Sequence, residues 1–267
     1  MNWGKAMVRQ FTLLAALFCF GGAVAQTAVP AGSSEFVVAT IKPVDPGPKA
    51  GRFFKMESEN RFHAINFSLK LLIAAAYDLN PRTISSGPGW VDSDKFDIQA
   101  VTPGDKAPDH DAQMLMLRGL LADRFKLVFH RTPKVFSIYE ITVAKDGPTM
   151  AESLTPDAQP NVVSMVFPTK MVMPARNATV SDLARVMQRA ILDRPVVDKT
   201  GLTGRYNFNL EWAADETQFE GAIPAQEGSD APPLLLAMQQ QLGLQMKATK
   251  GPVDTLVIDS VQKPTAN

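Results

Sequence analysis

Three histidines are the first side chains in this sequence that could hold a metal ion. No two of them stand three or four residues apart, the spacing that places two zinc ligands on one face of a helix. His63 and His130 are isolated, whereas His110 lies between Asp109 and Asp111 in a segment rich in proline and charge. Zinc needs several converging ligands. We therefore interpret this tripeptide as a solvated connector and predict no metal site.

A second candidate for chemistry is the carboxylate pair Asp92 and Asp94, next to Lys95. Two carboxylates act as acid and base only where their environments separate their pKa values. Because charged side chains mostly stay at the surface, we interpret the pair as a charged turn before a strand at 96–100. His130, in the string HRTPK, is typical of a surface turn at the end of a strand.

Two glycine-containing strings do not fit a catalytic or phosphate-binding loop. Residues 85–90, SSGPGW, lack the G-x-S-x-G form of a hydrolase nucleophile turn and indicate a turn that carries Trp90 to an apolar face. Residues 201–205, GLTGR, precede an alternating pattern, whereas a phosphate cradle requires a helix there. That pattern predicts a strand-turn-strand hairpin. We predict no catalytic, cofactor-binding or metal-binding residues, and we do not expect an enzyme.

The N-terminus has the three parts of a secretory signal. A basic start is followed by an apolar run at 11–24 and by the small-x-small triplet Ala23-Val24-Ala25. The run is shorter than the roughly 20 residues that span a bilayer, so we expect cleavage and no stable membrane anchor afterwards. This predicts a signal sequence at 1–25, a flexible leader at 26–34, and a protein that is secreted or periplasmic.

Processing would also change the composition of the chain. The single cysteine, Cys19, leaves with the signal, so no disulfide and no thiolate metal site can form. Loss of Lys5 and Arg9 turns a net charge of zero into −2. A nearly neutral chain lacks the basic surface that nucleic acids and anionic membranes select. We therefore exclude nucleic acid as a partner.

Beyond the leader, one order of elements occurs twice: strand, helix, strand, helix, strand, strand. Such repetition is evidence for a duplicated unit. The first set of predicted segments is 37–43, 69–79, 96–100, 114–125, 127–130 and 136–143. The second set is 162–168, 181–191, 206–210, 234–242, 244–247 and 253–258. The first half alone has a long insert, at 44–63.

Helix caps and turns strengthen this interpretation. Ser68 and Thr179 each precede a helical pattern as hydroxyl N-caps, and Thr179 with Asp182 approximates a capping box. Turns at 132–134 and 250–252 separate the last two strands of each set. We predict an α+β fold, a tandem duplication of a small β-α-β-α-β-β unit with helices packed on one face of the sheet. Its repeats are residues 35–150 and 151–267.

Parts of the second half resemble the short N-terminal domain of secretins and TonB-dependent receptors. The matching segments are 182–198, 206–210 and 235–244. In those systems the domain makes protein contacts in the periplasm. The resemblance implies an interaction module and brings no catalytic residues.

The chain as a whole more closely resembles an uncharacterised, secreted "soil-associated" bacterial family. The phrases that carry this are VATIKP (38–43), GPGWVDSDKFDI (87–98), LLADRFKLVFHRTPK (120–134), PVVDKTGLTGRYNFNLEW (195–212) and KGPVDTLVIDSVQKPTAN (250–267). Members attached to a membrane-bound receptor-type metallopeptidase suggest a role in sensing. The resemblance implies no established activity.

These observations leave the specific function unknown but define three hypotheses. The first is a non-enzymatic extracytoplasmic module that engages an envelope protein or peptide through a sheet edge or the groove between the repeats. The second is a hydrolase with a site in that groove, using Asp92, Asp94 or His130. The third is a sensor of a small ligand, which a deep apolar pocket between the repeats would favour.

Overall fold

The structure is a computed structural model that describes residues 35–44, 51–155 and 157–265. The predicted signal sequence (1–25) and leader (26–34) lie outside the described residues. The described residues all belong to one compact unit that starts at Ala31. None of their helices has the length and apolarity that a membrane crossing requires.

The first half of the described chain, up to residue 150, contains six strands and three helices. They are β1 (Val38–Val44), β2 (Phe53–Ser58), β3 (Arg61–Ser68), α1 (Leu69–Ala76), β4 (Ile84–Ser85), α2 (Trp90–Ser93), β5 (Lys95–Val101), α3 (His110–Arg124) and β6 (Val128–Val143). A 3₁₀ turn, Pro81–Thr83, precedes β4.

The second half contains seven described strands and two α-helices. They are β7 (Ala151–Glu152), β8 (Asn161–Val162), β9 (Met165–Val166), β10 (Met171–Ala178), α4 (Val180–Val186), β11 (Val196–Asp198), β12 (Tyr206–Trp212), α5 (Leu234–Leu242) and β13 (Leu244–Ser260). A π-helical turn, Met187–Ile191, continues α4, and a 3₁₀ turn, Phe219–Gly221, lies between β12 and α5.

Apolar spacing accounts for the type of these elements. Every second side chain of β5 is buried, from Phe96 through Ile98 to Ala100, as expected of a strand with one face in a core. In α3 the buried side chains Met114, Leu117 and Leu121 recur every three or four residues, which places them on one helix face. The predicted α+β class is therefore confirmed.

Each half has an antiparallel sheet of its own, which we call the first and the second outer sheet. The first has the order β1-β5-β3-β2 and belongs entirely to the first half. The second has the order β7-β12-β10-β8, with β9 also paired to β10, and belongs to the second half. In both sheets a strand that leads directly into a helix, β3 or β10, is central.

The third sheet is shared by the two halves. Its centre is the antiparallel pair β6 and β13, which are 16 and 17 residues long and pair from Val128 to Val143. The short strand β4 of the first half adds in parallel to β13, and β11 of the second half adds in parallel to β6. Each half therefore places a strand against the long strand of the other half.

This exchange of strands also joins the two hydrophobic cores. The first core is built from α1, α3, β3 and β5, yet it includes Leu256 and Ile258 near the end of β13. The second core is built from α4, α5, β10 and β12, yet it includes Ile141 near the end of β6. Each core therefore contains side chains from the other half of the chain.

The two predicted helix caps are confirmed. The Ser68 hydroxyl accepts a hydrogen bond from the backbone N–H of Leu71 at 3.4 Å. Thr179 and Asp182 form a reciprocal capping box: the Thr179 hydroxyl accepts from the Asp182 N–H, and the Asp182 carboxylate accepts from the Thr179 N–H. A cap of this kind stabilises a helix by about 1 kcal/mol because it satisfies backbone donors of the first turn.

Just before each cap, an asparagine adopts a left-handed backbone. Asn66 has φ 60° and Asn177 has φ 51°, a region that asparagine tolerates better than most residues. The Asn66 N–H donates to the Asp97 carboxylate at 2.8 Å, and the Asn177 N–H donates to the side-chain oxygen of Asn207 at 2.9 Å. At both positions the ladder shifts register, so the strand bends into the helix that follows.

The predicted turns at 132–134 and 250–252 are wrong. Both segments lie inside continuous strands that pair with each other, and Pro133 is opposite Asp254 while Pro252 is opposite Val135. Proline lacks an N–H and normally marks a turn or an edge. It is tolerated here because β4 and β11 pair only near the ends of the two long strands, so that no described strand pairs with their outer edges at the prolines.

The predicted match between 37–43 and 162–168 is also wrong. β1 is an edge strand beside β5. Residues 162–168 instead contribute to β8 and β9, which pair with β10, whereas the edge strand beside β12 is β7. The supposed insert at 44–63 contains β2 and the start of β3. Strand β10 was not predicted, because Pro174 and Arg176 interrupt its apolar pattern.

A candidate ligand-binding cleft between the two halves

A cleft with a volume of about 590 Å³ opens where the first half meets the second. Its walls are the start of α3, the segment 157–162, and α4 with its π-helical turn. Eleven of its fifteen lining residues are polar or charged, among them Arg185, Arg189 and Arg205. The cleft therefore suits a polar ligand better than an apolar one.

Arg185 connects the two sides of this cleft. Its guanidinium lies 3.5 Å from the Asp78 carboxylate and 3.6 Å from that of Asp111, both in the first half. A third carboxylate, Asp182 on the same helix, lies 3.6 Å away. Asp78 Oδ1 is buried and has no hydrogen-bond partner among the described residues, so the long contact to Arg185 is its main compensation.

Asn80 and Gln188 add a pair of neutral hydrogen bonds at the base of the same junction. Asn80 Nδ2 donates to the Gln188 carbonyl at 2.7 Å, and Gln188 Nε2 donates to the Asp78 carbonyl at 2.7 Å. The Gln188 side-chain oxygen also accepts from the Val196 N–H at 3.2 Å. Asn80 is almost fully buried. These bonds fix the π-helical turn, and with it the neighbouring Arg189, against the first half.

Arg189 reaches from the π-helical turn toward His110. Its Nη1 lies 3.4 Å from His110 Nε2, so the guanidinium donates and the imidazole accepts. Burial lowers the pKa of Arg189, an effect that the Asp78 carboxylate opposes and Arg185 reinforces. In the described part of the chain, no carboxylate lies within 4 Å of this guanidinium. Among the described residues, Arg189 is therefore a partly buried cation without a paired carboxylate.

Arg205 enters the cleft from the loop before β12. Its Nη1 donates to the Asn177 carbonyl at 3.0 Å, which orients the side chain. Like Arg189, it has no carboxylate within 4 Å among the described residues. Arg205 lies in the string GLTGR, for which the sequence predicted a hairpin. That prediction is wrong, because β11 pairs with β6 in the shared sheet and β12 belongs to an outer sheet.

The tripeptide Asp109-His110-Asp111 lies at the cleft but is not a loop. Asp109 is the N-cap of α3 and accepts from the Ala112 N–H at 2.8 Å, and His110 begins the helix. The Asp111 carboxylate lies 3.4 Å from His110 Nδ1. Within the described ranges, no cluster of three or more His, Cys, Asp or Glu side chains is arranged to hold a metal ion.

The other sequence candidates lie outside the lining of this cleft. Asp92 pairs with Lys70 at 3.1 Å, and Asp94 pairs with Lys263 at 2.6 Å. The hydrogen bond from Lys263, with one from Ser93, lowers the pKa of the Asp94 carboxyl. Trp90 begins α2 and packs edge-on against Phe96 at 6.4 Å, in line with the prediction that it meets an apolar face.

The remaining two histidines each pair with a carboxylate. His130 Nδ1 lies 2.8 Å from Asp259 Oδ1, and both side chains are about half exposed. His63 Nε2 lies 3.2 Å from Glu57 on the first outer sheet. The structure therefore does not bring His63, His110 and His130 into one site.

A second depression, of about 630 Å³, belongs to the second half alone. Lys170 crosses it to Glu211 at 2.5 Å, and Asn209 donates to the same carboxylate at 3.0 Å. The hydrogen bond from Lys170 lowers the pKa of Glu211. Because Lys170 and Glu211 already pair with each other, this depression has fewer charged groups available to bind a ligand than the cleft has.

The arginines of the cleft were not singled out from the sequence. Arg185 and Arg189 are four residues apart in a helical pattern, which predicts one helix face but not what that face meets. Arg205 comes from a different element altogether. Only their approach to α3 makes them a candidate site.

The fold and the site thus define a class of protein: an α+β chain with two cores, a shared sheet and a polar cleft. The chain matches the family described as a protein of unknown function, DUF3738, over residues 70–261. It belongs to that family, and the match takes in parts of both halves. No match was found among the curated proteins or among the solved structures.

Proposed function

We propose that this protein is a non-enzymatic binding module that works outside the cytoplasm and takes its ligand in the cleft between the two halves. The observation that carries the proposal is the construction of the cleft. Both halves contribute to its walls, and most of its lining side chains are polar or charged. Clefts between packed units are common places for ligand sites.

The state of the carboxylates around the cleft supports binding rather than acid–base chemistry. Asp109 caps α3, Asp182 caps α4, and Asp78 and Asp111 pair with Arg185. Carboxylates that are engaged in this way hold the walls in position, and the exposed Asp157 is the one described carboxylate of the lining without such a contact. A general base would instead need a carboxylate that is free to take a proton from a bound substrate.

We also propose that the two halves are tandem copies of one unit. Apart from the short helix α2, which only the first half has at this point, the order strand, helix, short strand, strand, helix, long strand runs from β3 to β6 and again from β10 to β13. The left-handed Asn66 and Asn177, each bonded to a side chain on the neighbouring strand, support the same correspondence. The cleft itself joins different elements of the two copies, α3 of the first and α4 of the second.

Export is the third part of the proposal. It is supported by the basic start, the apolar run at 11–24 and the Ala23-Val24-Ala25 triplet. The resemblance to a secreted "soil-associated" family is consistent with it. A fusion of residues 1–34 to a reporter that is active only outside the cytoplasm tests this part by itself.

The binding role is tested with the chain from residue 26 onward and a library of short peptides and polar metabolites. A true ligand raises the melting temperature by mass action and protects the segment 157–162 and α4 from hydrogen exchange. Gln159→Trp fills the cleft from an exposed position and should abolish the effect. Val135→Trp, at a position that is 72% exposed on the long strand pair, is the matched control.

Two results of this experiment would count against the binding role. In one, the ligands stabilise Gln159→Trp as strongly as the wild type, which places their site elsewhere. In the other, the protected amides lie around Lys170 and Glu211, which assigns binding to the second depression. A hit that is lost only in Gln159→Trp supports the cleft.

A hydrolase is the second candidate, and one contact favours it. Asp259 holds His130 Nδ1 at 2.8 Å, the arrangement in which a carboxylate orients a histidine so that its Nε2 can accept a proton. The test is turnover of a panel of nitrophenyl esters by the wild type and by His130→Gln. Turnover that is lost in the variant favours the hydrolase, and equal rates reject it.

A further inference from the structure

We infer that the cleft binds an anionic group, a carboxylate or a phosphate, on the guanidinium groups of Arg189 and Arg205. The inference rests on the proposed function of the cleft and goes beyond it by naming the chemistry of the ligand. It follows from an imbalance of charge. The cleft contains two guanidinium groups without a paired carboxylate, while most of the carboxylates near them already have partners.

Of the two arginines, Arg189 gives the stronger support for an anionic ligand. Arg189 is partly buried, and a guanidinium that loses part of its hydration is costly unless it is paired with an anion and hydrogen-bonded. Its one close polar contact among the described side chains is the neutral acceptor His110 Nε2, at 3.4 Å. Asp78 is the carboxylate whose charge most affects the pKa of Arg189, and that carboxylate already pairs with Arg185. The remaining donors of Arg189 can serve a ligand.

Arg205 supplies a second guanidinium to the same cavity. The Asn177 carbonyl takes one N–H of its five, at 3.0 Å, and holds the group in place. Asn177 is itself fixed by the Asn207 side chain, so the support of Arg205 is rigid. A preorganised arginine loses little conformational entropy when an anion binds.

The neighbouring carboxylates cannot easily neutralise these two groups. Asp109 and Asp182 accept backbone hydrogen bonds at the starts of α3 and α4, and Asp111 lies against His110 and Arg185. Asp157 also lines the cleft, but it is exposed and lies more than 4 Å from either guanidinium. An anionic ligand would therefore complete the pairing.

Guanidinium groups match such a ligand in shape as well as charge. The planar fork of arginine binds both oxygens of a carboxylate or phosphate in parallel hydrogen bonds. Two arginines from different elements would fix the orientation of one anionic group or hold two. The ligand class is thus an organic acid, an organic phosphate, or a peptide with a free terminal carboxylate.

Titration calorimetry and melting temperature, with succinate and inorganic phosphate as probes, test the inference. Succinamide has the skeleton of succinate without its charge and is the matched control. We expect succinate or phosphate to bind and succinamide not to bind. Arg189→Met and Arg205→Met should each weaken binding by about tenfold or more, the scale of one charge-assisted hydrogen bond. Lys170→Met, in the second depression, should leave the affinity unchanged.

The experiment distinguishes a carboxylate ligand from a phosphate ligand. It also distinguishes failure of the anion inference from failure of the proposed binding function. Preference for succinate indicates a carboxylate, and preference for phosphate indicates a phosphoryl group. Equal binding of succinate and succinamide overturns the inference, as does full affinity in Arg205→Met, which keeps Arg189 in place. If a library ligand still depends on Gln159 while no anion binds, only the inference falls. If ligands ignore Gln159→Trp, the proposed function falls with it.

Discussion

Asn80 and Gln188 hold each other across the junction of the two halves although 108 positions separate them in the sequence. Asn80 Nδ2 donates to the Gln188 carbonyl at 2.7 Å, and its Oδ1 accepts from the Arg82 N–H at 3.0 Å. The Asn80 side-chain oxygen therefore caps a 3₁₀ turn of the first half, while its NH₂ group bonds to the π-helical turn of the second half. The position of Arg189 depends on this contact.

Asn80→Ala should destabilise the protein by about 2–3 kcal/mol, because it leaves buried backbone groups without their partner. Urea unfolding measures the change. Asn209→Ala, in which the removed amide is at the surface, is the control and should cost less than about 1 kcal/mol. Equal losses in the two variants would mean that the junction contact contributes no more than a surface bond.

Leu256→Ala tests whether the end of the chain stabilises the first core. Leu256 is fully buried in that core, and a Leu-to-Ala change at such a site costs about 2–5 kcal/mol. Hydrogen exchange should accelerate in α1 and β5 of the first half, far from residue 256 in sequence. Val135→Ala, at an exposed position of the same strand pair, should leave stability within about 0.5 kcal/mol of the wild type.

Gly243 at the end of α5 should not accept alanine. Its φ is 65°, and an added Cβ would overlap the carbonyl oxygen of Gly147. Gly104→Ala is the matched control, since its φ is 84° and nothing lies within 4 Å of the added carbon. The control should cost about 1 kcal/mol from backbone strain alone, and Gly243→Ala clearly more. Similar melting temperatures for the two variants would contradict the overlap.

The pair Lys170 and Glu211 predicts a pH dependence with a definite sign. The hydrogen bond from Lys170 lowers the pKa of Glu211 in the folded protein below its unfolded value. The pair therefore stabilises the fold above the unfolded pKa, and this contribution is lost as the pH falls through the folded pKa. In Lys170→Met, NMR titration should show a higher pKa for Glu211. The stability gap to the wild type should close in acid, and a gap that widens in acid would contradict the pairing.

How much of the fold the sequence predicts depends on the range of the interaction involved. Ser68 and Thr179 are recognisable as caps because a cap is decided within four residues. The strand at 96–100 and the helix at 114–125 follow from short apolar periods. In contrast, Pro133 and Pro252 predict turns by the same local logic and lie in continuous strands. The local signal does not record that no described strand pairs with the outer edge beside them.

The candidate site was less accessible to such reasoning. His110 was noted because histidine draws attention in any sequence, and the structure does place it at the cleft. The sequence gives no sign of Arg189, because its importance comes from partial burial and from the lack of a paired carboxylate among the described residues. Neither property is written in the residues beside it. Asp92, Asp94 and His130 looked equally plausible and lie elsewhere.

The sequence by itself determined the helix caps, the types of the elements with a clear apolar period and the α+β class, since these depend on propensities and periods over a few neighbouring residues. Only the tertiary structure decided that β6 and β13 pair along their whole length, that β4 and β11 cross to the other half, and that α3 meets the arginines of the second half. Those choices depend on which faces meet when segments far apart in the sequence pack together. That is a property of packing in three dimensions, and no short window of sequence contains it.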